Sequence, residues 1–102
     1  MGNMRSNELL GGESIAIGAA ATYSTPLTPG LYDVYADASA CFVTLGSGVS
    51  FTVDSTKNYL PSGGARIVRV HPLRADGSGD NRIGCIRSGA GSGTLYLNKH
   101  GL

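Results

Sequence analysis

From Ser14 to Leu97 the chain is written as short runs in which apolar and polar residues alternate, each closed by glycine, proline, aspartate or serine. Successive side chains of an extended strand point to opposite faces, so such a run has one face to bury and one to leave in water. In "SIAIGA" Ile15 and Ile17 share a face, and in "LYDVYA" Tyr32, Val34 and Ala36 lie opposite Leu31, Asp33 and Tyr35. "ACFVTLG" puts Cys41, Val43 and Leu45 together, and "VSFTVD" does the same for Val49, Phe51 and Val53. "ARIVRV", "RIGCIR" and "TLYLNK" complete the series, the last with Leu95 and Leu97 inward and Tyr96 outward. No segment carries a helical period over the ten or so residues that a helix usually needs. The pattern predicts an all-β domain, a compact β-sandwich or barrel of about seven short antiparallel strands.

Punctuation between the runs predicts the connections. "PLTPG" is turn chemistry, "STKNYLPSGG" and "HPLRADGSGDN" read as loops, and "SGAGSG" as a tight linker. The polar break "DAS" is short enough to join "LYDVYA" and "ACFVTLG" as a hairpin, and the three "GSG" triplets read as separate hairpin turns. Residues 1–13, "MGNMRSNELLGGE", lack strand alternation and hold a Gly-Gly pair. They are expected to form an N-terminal arm, hinged to a β-sandwich domain over residues 14–102. Within the arm, Leu9 and Leu10 are the candidate apolar anchors to a partner, and Arg5 and Glu8 the candidate polar contacts.

Length and charge narrow the function. The 102 residues fit one domain with a thin core, and sixteen glycines against seven aromatics suit many turns. A net charge of +1 disfavours a nucleic-acid surface, although four of the six arginines fall between Arg66 and Arg82. No apolar run approaches the ~20 residues that span a bilayer, and no secretory leader pattern is present. Cys41 and Cys85 lie in apolar runs without a second ligand at metal spacing. A disulfide between them would need close Cα atoms, which is a matter of tertiary structure. Synthesis in a reducing compartment is expected, and with it two free, buried thiols.

Few groups point to chemistry. "DGSGDN" spaces carboxylates like the start of a calcium loop, but the twelfth position from Asp76 is Arg87 where such a loop needs glutamate. An exposed Asp/Gly turn without metal is expected. His71 and His100 are the only histidines, and no serine sits in a strand-to-helix nucleophile turn. No enzymatic activity and no cofactor are therefore expected. Tyr23, Tyr32, Tyr35, Tyr59 and Tyr96 could line a sugar- or protein-binding face, with Tyr59, next to Pro61 in a loop, the best exposed candidate for a partner contact.

The order of elements resembles a group of small virion proteins of tailed bacteriophages. The resemblance covers Ser14 to Leu97 and lies in "IAIGAAATYSTPLTPGLYDVYADASACFVTLGSG", "LPSGGARIVRV" and "RIGCIRSGAGSGTLYL". The segment "HPLRADGSGDN" is longer than that pattern needs. The resemblance implies a structural part of the particle, a capsid decoration or cement protein bracing neighbouring major capsid subunits. It implies a multi-copy assembly on the capsid surface, made in the host cytoplasm, with no nucleic-acid or membrane partner. The alternatives are a head-fibre base or adhesin module that touches host carbohydrate, and a head–tail or tail component.

Overall fold

Alternation becomes strand because each run buries one face against the same core. The computed structural model describes residues 9–100, with side chains from residue 12 onward. Its strands are β1 (Leu9–Ile17), β2 (Thr22–Tyr23), β3 (Gly30–Asp37), β4 (Cys41–Gly46), β5 (Tyr59–Leu60), β6 (Ala65–Val70), β7 (Arg82–Arg87) and β8 (Gly93–His100). Among the described residues there is no helix. Two antiparallel four-stranded sheets form, ordered β1-β8-β3-β6 and β2-β7-β4-β5. They pack face to face as a sandwich rather than closing into a barrel. One sheet contributes Ile15, Ile17, Val34, Ala36, Val70, Leu95 and Leu97 to the core, the other Cys41, Val43, Leu60, Ile83 and Cys85. Burying a Val, Leu or Ile fully is worth about 1.5–3 kcal/mol, so this single layer supplies the main driving force.

The chain changes sheet at every connection except β4 to β5. The hairpin expected between "LYDVYA" and "ACFVTLG" is therefore not formed. β3 pairs with β6 and β8, and β4 pairs with β5 and β7. Ala38 takes φ 72° in the three-residue link, which carries the chain over the edge of the core instead of back along one sheet. Val34 and Ala36 thereby face Cys41 and Val43 across the interior. The "GSG" triplets likewise lie in links between sheets or in the long loop after β4.

"VSFTVD" is not a strand of either sheet. The segment lies over the outer surface of β4 and β7, where Gly46 and Gly84 leave a hollow filled by the Phe51 ring. Tyr23 packs edge-on against that ring at 4.9 Å and donates its hydroxyl to the Phe51 carbonyl at 2.7 Å. The Asp54 N–H donates to Thr44 Oγ1 at 3.0 Å, and Val53 is buried, whereas Val49 is 81% exposed. Two of the three apolar residues thus face the sheet, which explains the alternation.

The boundary at residue 13 also moves. β1 begins at Leu9, with Leu9 opposite His100 and Glu13 opposite Leu97. The glycine pair sits where the ladder shifts register between Leu9 and Gly12. A Cβ on Gly12 would collide with the Leu97 carbonyl and the Asn98 side chain, so glycine permits close approach at an irregular pairing instead of uncoupling an arm.

Candidate functional site

β6 and β5 are outer strands of their sheets, and they lie on the same side of the sandwich. Arg66 shows this directly. Its position in the row Leu97–Val34–Arg66 aims it toward the space between the sheets. The guanidinium crosses that space, donating to Asn58 Oδ1 and to the Tyr59 carbonyl at 3.3 Å each. An inward charge on an outer strand is a known device against edge-to-edge aggregation, and here it also ties two edges together.

β5 is short for local reasons. Asn58 before it has φ 58°, and Pro61 after it has no N–H for a ladder. The Gly64 N–H closes the turn on the Pro61 carbonyl at 2.8 Å. Beyond Phe42 the β5 side of β4 is left without a ladder, apart from the Val43 N–H reaching the Asn58 carbonyl at 3.2 Å. A cleft of about 200 Å³ opens there between the sheets, lined by buried Val43 and Ile83, half-buried Leu45 and Val68, and exposed Arg66. Ile67 of β6, which rims the cleft, is 54% exposed, and Tyr59, 49% exposed, lies on the outer face of β5 with its ring edge-on to Phe42 at 5.7 Å. An apolar cleft with an exposed isoleucine and arginine at its rim is suited to holding another protein's side chains.

The chain matches no family model, no curated protein and no solved structure.

Of the partner residues read from the sequence, Tyr59 is half exposed on the outer face of the β2-β7-β4-β5 sheet, against Phe42, and does not line the cleft. Arg5 and Glu8 lie outside the described residues, as do the side chains of Leu9 and Leu10. Ile67 and Arg66 were legible only as strand residues. Nothing in an alternating run says which strand will be outermost.

A second cleft, of about 210 Å³, lies where β1, β3 and β8 meet the segment before β3. Its polar groups are engaged with one another. Glu13 accepts from the Thr25 N–H at 3.0 Å and hydroxyl at 2.6 Å. Lys99 Nζ donates to Thr28 Oγ1 at 2.8 Å, and the Tyr32 hydroxyl donates to the Thr28 carbonyl at 2.7 Å.

"DGSGDN" is an exposed turn. Asp76 Oδ1 accepts from the Ser78 N–H at 2.9 Å and hydroxyl at 2.7 Å, and those bonds hold its carboxyl below the usual aspartate range. Among the described residues no three His, Cys, Asp or Glu side chains come together as a metal cluster. His71 lines a groove with Pro72, Arg74 and Asp80. His100 Nε2 lies 3.9 Å from Asp33 Oδ2 on the outer face of the other sheet. Cys41 and Cys85 are free thiols buried in the core.

Proposed function

We propose that this chain is a non-enzymatic structural protein of a tailed-phage virion, a decoration or cement protein that braces neighbouring major capsid subunits in many copies. The observation that carries the assembly role is the open β5/β6 side, where the apolar cleft is rimmed by exposed Ile67, with exposed Tyr59 on the other face of the same edge. A neighbouring subunit seated there would cover half-buried Leu45 and Val68 and exposed Ile67. The order of turns and strands shared with small phage virion proteins supports the particle as the setting. Arg5, Glu8, Leu9 and Leu10 are proposed, from the sequence, as further contacts to the same neighbours.

The test uses particles of the phage that encodes the chain. The protein should be present in many copies on the shell. After it is stripped off, recombinant protein should rebind assembled shells and ignore unassembled capsid subunits. Tyr59→Ala combined with Ile67→Asp should weaken rebinding at least about tenfold, a typical cost for losing central interface anchors. Absence of the chain from the particle would overturn the virion reading. Rebinding unaffected by both substitutions would overturn the placement of the contact.

A further inference from the structure

The outer face of the β1-β8-β3-β6 sheet carries an arrangement that the assembly reading does not use. Register places Ser14, Tyr96, Tyr35 and Ala65 in one row across the four strands. Tyr35 and Tyr96 are side by side at the centre, ring centroids 6.4 Å apart and planes 29° from parallel, and they are 38% and 40% exposed. The row on one side holds Asn98, Asp33 and exposed Ile67, and the row on the other holds Thr94 and Asp37. Among the described residues none of the Asn98, Asp33, Thr94 and Asp37 side chains makes an internal hydrogen bond, and His100 Nε2 stands 3.9 Å from Asp33 Oδ2. The result is a two-ring aromatic surface flanked on both sides by free acceptors and donors.

We propose that this face binds a neutral oligosaccharide. A sugar ring has a C–H face, which the negative face of an aromatic ring attracts, and a rim of hydroxyls, which carboxylates and amides accept from or donate to. The Tyr35–Tyr96 pair supplies the first element, while Asp33, Asp37, Thr94 and Asn98 supply the second on both flanks. Charge disfavours other occupants at the tyrosine pair itself. Asp33 and Asp37 flank the rings directly and disfavour a phosphate, sulfate or uronate there, whereas Arg69 stands one row further out, opposite Leu31. A second copy docked face to face would set these carboxylates against their own equivalents, at the cost of like-charge repulsion.

The purified chain is titrated with a panel of neutral oligosaccharides (gluco-, galacto-, manno- and N-acetylglucosamine series), with heparin as the anionic control, and binding is read by amide chemical shifts. At least one neutral series should move resonances of Tyr35, Tyr96, Asp33 and Asp37 in a saturable manner, and heparin should not. Tyr35→Ala and Tyr96→Ala should each weaken binding about five- to tenfold, the loss of one aromatic contact. Asp37→Ala, at an exposed site that leaves the core intact, should weaken it as well. Sedimentation of each variant shows whether the face instead joins copies of the chain. The proposal is overturned by no shift with any neutral series, by shifts confined to another surface, by heparin competing for the same residues, or by the tyrosine substitutions changing only the oligomeric state. None of these outcomes decides the virion reading, whose cleft opens between the sheets; Ile67 at its rim shares a row with Asp33, so the two tests use different substitutions.

Discussion

Cys41 on β4 and Cys85 on β7 stand diagonally across one strand pair, Cys41 opposite Arg87 and Cys85 opposite Val43, with both thiols inside the core. Both are fully buried. The Cys85 Sγ also donates to the Ala16 carbonyl at 3.4 Å and lies 3.5 Å from Thr22 Oγ1, which links the two sheets through one thiol. The neighbouring Cys85 thiol and burial together push the Cys41 thiol well above its ordinary range.

Since both thiols are fully buried and out of a reagent's reach, the folded protein should be inert to thiol reagents at neutral pH. Titration should find no reactive thiol in the folded protein and both after denaturation without reductant. Diagonal neighbours in a sheet have Cα atoms about 7–8 Å apart, beyond the roughly 4.4–6.8 Å of ordinary disulfides. Mild oxidation of the folded chain should therefore leave both thiols free. A mass loss of two hydrogens within the monomer would contradict this geometry.

Ser24 extends the short β2 by using its side chain as a ladder partner. Its N–H donates to the Ile83 carbonyl at 2.8 Å, and its Oγ accepts from the Ile83 N–H at 3.0 Å in a buried setting. Ser24→Ala should leave that N–H unpaired and destabilise the fold by about 1–3 kcal/mol. Each kcal/mol lowers Tm by about 4–8 °C in a domain near this size. A thermal melt of the variant within one degree or so of the parent would show that another group, or water, takes over.

Gly46 and Gly84 exist to seat Phe51, so the fit should appear as coupling. Gly46→Ala directs a methyl into the ring and should destabilise the native chain. With Phe51→Ala already present, the same change should cost less. A double-mutant cycle in urea should give a coupling of about 0.5–3 kcal/mol. Additive effects would mean that the loop does not rest on the sheet in solution.

Asp54 and Asp76 each hold the residue two places on through one carboxylate oxygen. Asp54 accepts from the Thr56 hydroxyl and N–H, Asp76 from those of Ser78. These bonds favour the charged form and lower both pKa values. A folded value below the unfolded one means stabilisation that is present above the unfolded aspartate pKa, about 3.9, and lost as pH falls through the folded value. Carboxyl resonances followed by NMR should titrate below about 3.9 for both residues. Midpoints above 4 would show that the turns are open in solution.

Alternation by itself determined that this is a β protein and which side of most strands is buried. Val34 and Ala36, Leu95 and Leu97, and the two cysteines all lie inward as their runs require. The reason is local, because side-chain direction in an extended chain follows from covalent geometry. Partner choice is not local. "LYDVYA" and "ACFVTLG" pair with strands far along the chain, since covering both apolar faces at once is worth more than one hairpin between neighbours. The same limit hid the loop after β4, because an extended segment lying on glycines shows the period of a strand without joining a ladder. Tyr59 could be read from its turn as exposed, yet the cleft between the sheets and the Tyr35–Tyr96 pair arise only when residues distant in sequence become neighbours. Tertiary structure alone decided which strands stand at the edges, and with them which surfaces are left to meet other molecules.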